Sequence, residues 1–171
     1  MKFAYADPPY YGYAKYYKDD PRHAEVNCHV LFGFLCEHYD GWAMSASSST
    51  LAYLLSVDTC PKDVRIAAWV KPWASFKPGV NPAYTWEPVL FYGAKKRPIT
   101  QRTVKDHVIA SATMKKGLVG AKPVKFCRWI IELLGYEEGD TLDDIFPGTG
   151  IFGQVVEQKK QQHQYQQLKM L

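Results

Sequence analysis

Two stretches decide the fold: Phe3-Ala4-Tyr5-Ala6-Asp7-Pro8-Pro9-Tyr10 near the amino end, and Asp144-Ile145-Phe146-Pro147-Gly148-Thr149-Gly150 near the carboxyl end. In the first, a short apolar run reads as a strand that stops at two prolines, which fix the backbone and remove two N–H donors. What is left is a carboxylate and outward carbonyls, all acceptors, followed by an aromatic ring. Such a loop suits an amino group, which only donates, on a planar ring that Tyr10 can stack upon; an ordinary Asp-Pro turn is the plainer reading. The second stretch reads as a strand over 141–146, a glycine turn and a helix from Ile151. Glycines let a ligand approach the backbone, and a helix amino end favours an anionic group such as a carboxylate; a tight strand-to-helix turn is again the plainer reading. Ligands of open α/β sheets lie at the carboxyl ends of strands where the strand order reverses, so two such loops side by side make one pocket.

Between them, strands are expected at 42–45, 65–70 and 88–92. A helix over 24–39 has Val26, Val30, Leu31, Phe34 and Leu35 as its buried face, and a short helix capped by Ser47–Ser49 carries Leu51, Leu54 and Leu55 on one side. Pro123 opens a helix with Val124, Cys127, Ile130, Ile131 and Leu134 inward, stopped by Gly135. The segments 72–86 and 94–121 read mostly as loop. Strands alternating with helices predict an α/β sheet covered on both faces. The 171 residues suit one domain, 1–171, with a polar Gln/Lys-rich tail over 158–171.

The longest apolar run falls short of the roughly 18 residues of a membrane span, and Lys2, Asp7, Lys15, Asp19 and Asp20 exclude a secretion signal. Four cysteines and five histidines show no metal spacing: Cys28, Cys36 and His38 lack a fourth ligand, so core thiols in the cytoplasm are expected, and no metal. The net charge of +4 is unevenly spread. Residues 94–125 hold nine Lys/Arg against Asp106 alone, and a polyanion would bind there, with Lys95, Lys96, Arg97, Arg102 and Lys105 as the expected contacts. A solvated loop is the alternative. His23 is a further contact to such a polyanion or a plain surface histidine; Trp73 and Phe76 line a pocket or simply pack their loop.

The two loops and their order resemble the amino-directed DNA methyltransferases, S-adenosylmethionine-dependent enzymes that methylate adenine N6 or cytosine N4. The family's Asp/Asn/Ser-Pro-Pro-Tyr catalytic motif is matched by Asp7-Pro8-Pro9-Tyr10. Its Phe-x-Gly-x-Gly cofactor motif is matched by Phe146-Pro147-Gly148-Thr149-Gly150, with Asp144 at the acid two places before the Phe. The catalytic motif comes first, which resembles the permuted beta class. Trp69-Val70-Lys71-Pro72 and Trp86-Glu87-Pro88-Val89-Leu90-Phe91 resemble the family's tryptophan and glutamate strands, and Lys122-Pro123 resembles the Lys-Pro element before the cofactor strand. The likeness runs over residues 3–153.

The resemblance implies a three-layer Rossmann-like methyltransferase sheet, with Asp7, Pro8, Pro9 and Tyr10 catalytic. It implies S-adenosylmethionine on Lys122, Asp144, Phe146, Pro147, Gly148, Thr149 and Gly150. It implies DNA as partner, with 94–121 a short basic target-recognition insertion. An Asp in first position resembles the adenine-directed members. After Gly150 the family continues to a strand ending in an acid that holds the cofactor ribose, then to another strand. Here Gln154-Val155-Val156-Glu157 leads into glutamines, so the sheet is expected to lack two of the usual strands, and its open edge suggests a homodimer. A catalytically impaired nucleic-acid-binding homologue, and an N4-cytosine or RNA methyltransferase, are the alternatives.

Overall fold

The computed structural model describes residues 1–10, 25–73, 78–112 and 121–168. Strand β1 (Lys2–Ala6) lies inside the sheet, parallel to both its neighbours, β2 (Gly41–Ser45) and β6 (Thr141–Asp144). The remaining strands are β3 (Arg65–Val70), β4 (Trp86–Tyr92) and β5 (His107–Ile109), and the sheet order is β5-β3-β4-β2-β1-β6. Only β4 runs against its neighbours; the other five run one way. Helices α1 (Cys28–His38) and α2 (Leu51–Ser56, behind a 3-10 turn at Ser48–Thr50) cover one face, and α3 (Val124–Leu134) and α4 (Ile151–Leu168) the other. The fold is the expected α/β sandwich of three layers.

The period-2 alternation of β1 builds both cores at once. Phe3 and Tyr5 point to the α3–α4 layer, among Phe126, Ile130, Leu134 and Phe152, and the Tyr5 ring stacks on Phe152 at 4.2 Å. Ala4 and Ala6 point to the α1 layer, among Leu31, Phe32, Leu35, Trp42 and Met44. A strand apolar on both faces is what a buried parallel position requires.

Some elements differ from expectation. Asn27 accepts the Val30 amide at 3.3 Å, so α1 starts at Cys28 rather than 24. Its inward set is Cys28, Leu31, Phe32 and Leu35, while Val30 is 62% and Phe34 39% exposed. The helix is apolar nearly all round, so spacing alone could not choose its face; Phe34 instead lies on the His38 ring at 4.5 Å. In α3, Cys127, Ile130, Ile131 and Leu134 are buried as expected, joined by Phe126 and Trp129, but Val124 is exposed, as is Leu55 of α2. Gly135 ends α3 with φ 72°, and the Gly135 and Tyr136 amides close on the Glu132 and Ile131 carbonyls. β4 begins at Trp86, before the expected Pro88; β6 ends at Asp144; and the basic segment contains β5.

Among the described residues nothing pairs with the outer side of β6. That edge is four residues long, carries Asp143 and Asp144, and has the Tyr39 hydroxyl donating to Asp143 Oδ2 at 3.0 Å. A short, acidic edge discourages strand addition and does not favour the expected homodimer. No helix among the described residues is long and apolar enough to cross a membrane.

At the amino end of β1 the backbones crowd. A Cβ on Gly93, whose φ is +64°, would stand 2.0 Å from the Asp40 carbonyl oxygen. Gly139 has a similar φ of +84° and open space. Gly139→Ala should therefore cost about 1 kcal/mol, the left-handed backbone alone. Gly93→Ala should cost well over twice that in urea denaturation, because the backbone must also move.

Candidate active site

Since β1, β2, β3, β5 and β6 run one way, Ala6, Ser45, Val70, Ile109 and Asp144 finish at the same end of the sheet, where β4 starts. Asp7, Pro8, Pro9 and Tyr10 leave β1 there, and Tyr5 is in register with Asp144. Lys122, just before α3, reaches the same place, its Nζ 2.8 Å from Asp7 Oδ1. The ammonium also lies 5.6 Å from the Tyr10 ring centre and 5.8 Å from that of Trp69. Ser45 exchanges a 2.8 Å hydrogen bond with the Tyr5 hydroxyl and also hydrogen-bonds Asp7. The Tyr10 hydroxyl donates to Glu87 Oε2 at 2.5 Å, and Lys71 pairs with Glu87 Oε1.

These contacts set the charges. Burial pushes the Asp7 carboxyl above the usual carboxylate range, the Lys122 ammonium and Ser45 pull it back, and Glu87 adds to the push. Asp7 keeps 22% of its side-chain surface open, so its burial is that of a recess. Tyr10 is raised well above an ordinary phenol by burial, then by Glu87 and Asp7, and stays a neutral donor. Asp144 is pushed up to about 6 by burial and by the charge of Asp7, against the opposing Phe146 amide. Asp144 Oδ1 is buried with no hydrogen-bond partner.

Beyond Asp144 the chain turns through Gly148 (φ 45°) and Gly150 (φ 73°) into α4. A Cβ on Gly150 would meet no heavy atom within 4 Å. Phe146 packs toward the α1 layer, while Pro147, Gly148 and Thr149 are exposed. An unpaired buried acceptor beside an open glycine turn fits a ligand that brings a donor and lies close to the backbone.

The expected DNA contacts lie elsewhere. Because β4 is antiparallel, the chain leaving Tyr92 emerges at the opposite end of the sheet, and 94–105 packs on the carboxyl end of α3. Lys95 Nζ is held by Asp140 Oδ2 at 2.7 Å and Glu137 Oε2 at 3.0 Å. Burial opposes ionisation of Asp140, yet Lys95 and the N-terminal ammonium hold its carboxyl down at about 2. Arg97 donates to the Glu132 and Arg102 carbonyls at 2.8 and 3.3 Å. Lys96, Arg102 and Lys105 are exposed. The 11 residues of α3 span about 16 Å, which sets Lys95 and Arg97, bonded at Leu134 and Glu132, well away from Asp7, while the Lys105 carbonyl meets Trp129 in the middle of the helix. Lys122, expected on the cofactor, pairs with Asp7. Trp73 is 67% exposed near the end of β3; His23, Phe76, Lys115 and Lys116 lie outside the described residues.

Ser45, Lys71 and Glu87 were not among the expected site residues. Lys71 and Glu87 belong to the tryptophan and glutamate strands already singled out. Only the antiparallel register Val70↔Trp86 reveals that they meet.

No family model matches the chain, and no curated protein matches it in sequence. Solved structures do share its fold, and with it the chain falls in the class of methyltransferase-like α/β folds. The crystal structure of the M1.HpyAVI–SAM complex matches with a TM-score of 0.63 at 15% identity, over 92% of this chain and 78% of that one. The crystal structure of M1.HpyAVI matches with a TM-score of 0.59, also at 15% identity, over 92% and 76%.

Removing Lys122 leaves the recessed Asp7 charge unpaired. Lys122→Met should cost about 3 kcal/mol in urea denaturation at pH 8. The unpaired Asp7 carboxyl is raised further, so the loss should shrink as acid protonates it. Adding Asp7→Asn should restore most of the stability.

Proposed function

We propose that the chain transfers the methyl group of S-adenosylmethionine to the exocyclic amino nitrogen, N6, of adenine in DNA. The observation that carries this reading is the meeting of an acceptor-only loop, Asp7-Pro8-Pro9-Tyr10, with an acidic glycine loop, 144–150, on neighbouring parallel strands. The fold shared with a SAM complex supports it. An Asp rather than a Ser in first position favours adenine over cytosine.

When bound, S-adenosylmethionine supplies an electrophilic methyl on a sulfonium. Asp144 would receive the cofactor's ammonium on the unpaired Oδ1, with Phe146, Pro147, Gly148, Thr149 and Gly150 forming the backbone cradle. The Asp7 carboxylate and the Pro8 carbonyl accept the two amino hydrogens. That draws the nitrogen lone pair out of the ring and toward attack. Lys122 favours the ionised form of Asp7 for this task, against the push of burial. Asp7, whose proton affinity burial raises, is also the acceptor for the proton that the methylated nitrogen must shed. Tyr10, fixed at its hydroxyl by Glu87, offers its ring face to a base swung out of the stack. Lys71 acts one step further back, as a positioning residue on Glu87.

The whole chain acts as one domain, and within 94–121 it is β5 that runs back toward the site end. Cys28, Cys60 and Cys127 are buried as expected of core thiols, whereas Cys36 is exposed on α1; four free cysteines suit the reducing cytoplasm.

Radiolabelled methyl transfer to DNA, with N6-methyladenine resolved from N4-methylcytosine, tests the reading. Asp7→Ala should lower the rate by about 100-fold or more; label on cytosine alone would overturn the adenine assignment. Cofactor affinity should be strongest above pH 6 and decline as Asp144 takes up a proton below it. Asp144→Asn should flatten that profile in a calorimetric pH series.

A further inference from the structure

The outer side of the α3–α4 layer carries cations that the site at Asp7 does not use. On α3, Lys125, Arg128 and Glu132 face solvent at spacings of three and four, forming one stripe that begins beside Lys122. Arg128 shares a recess of about 210 Å³ between α3 and α4 with Lys159 and two glutamines, Gln158 and Gln162. Lys159 in turn borders a cavity of about 610 Å³ at the far end of the sheet, with Lys96, Arg102 and Lys105 around it. This wall is built firmly. Arg97 straps the 97–102 loop to the Glu132 carbonyl, and the Trp129 indole N–H donates to the Lys105 carbonyl at 2.9 Å. Glu137, the second carboxylate of the cavity, is neutralised by Lys95. Six cations (Lys96, Arg97, Arg102, Lys105, Arg128 and Lys159) then face Glu132 alone among the described lining residues.

We propose that this stripe is a track for a nucleic-acid phosphate backbone, running from the Asp7 site along α3 to the cavity. A row of cations and neutral amide donors matches a row of phosphates better than it matches one compact anion. The α3 helix spans about 16 Å, and a duplex strand advances about 3.4 Å per base pair, so phosphates about five pairs from the target base reach the cavity. The identity of the base at Asp7 rests on the proposed function; the track as a nucleic-acid surface does not.

The test is fluorescence anisotropy with a duplex of about 30 base pairs over a salt series. Each phosphate contact adds about 0.9 to the slope of log affinity against log salt. Lys96→Gln/Lys105→Gln should lower that slope by about two. Lys2→Gln/Lys62→Gln, which removes the same charge near α1 and α2, should leave it unchanged. Thermal melting of both variants checks folding. Equal slopes for the two variants, or a track variant that binds like wild type, would overturn the track. Methyl transfer is scored separately. A track effect without methylation sinks only the enzymatic reading, and methylation without a track effect sinks only the track.

Discussion

Two carboxylates, Asp7 and Asp144, stand at the same end of adjacent parallel strands, and much of the rest of the structure answers that constraint. Burial raises the proton affinity of both, the charge of Asp7 raises that of Asp144 further, and Glu87 does the same to Asp7. Lys122 opposes that rise at Asp7 across 115 positions of sequence, and it can do so only because α3 starts where β1 ends. Asp144 has no such partner for Oδ1. One acid thus has a counter-charge from the protein itself, whereas the other is left open to an incoming donor. The same parallel pairing that builds the core from Phe3 and Tyr5 therefore also builds the asymmetry of the site.

A single antiparallel strand sorts the remaining chemistry. β4 brings Glu87 to the site end as it enters the sheet, where Lys71 and Tyr10 hold it, and delivers Lys95 and its neighbours to the other end as it leaves. The basic segment is thereby divided, with Lys95 at the far end and β5 carrying the chain back toward the site end. Cations remote from the reacting base cannot read it, but phosphates along a duplex extend that far.

The legible parts of the sequence were those where local chemistry leaves few choices. Two prolines after an apolar run can only end a strand, and glycines before Ile151 can only turn into a helix. Gly135 after a periodic apolar face marks the end of α3. The inward face of α1 was not legible, because Val30 and Phe34 are as apolar as Leu31 and Phe32, and only packing against Trp42 and Met44 decides between them. The Lys71–Glu87–Tyr10 network needed the hairpin register. The position of the basic segment needed the strand direction of β4, which no composition or charge count contains.

The central claim is that the 144–150 loop holds S-adenosylmethionine beside Asp7. Calorimetric titration of the intact chain and of Asp144→Asn with S-adenosylmethionine, at pH 7.5 or about one and a half units above the Asp144 value, tests it most directly. Saturable binding to the intact chain, weakened about tenfold or more by the substitution, is the expected result. Absence of binding, or equal binding by both proteins, would contradict it.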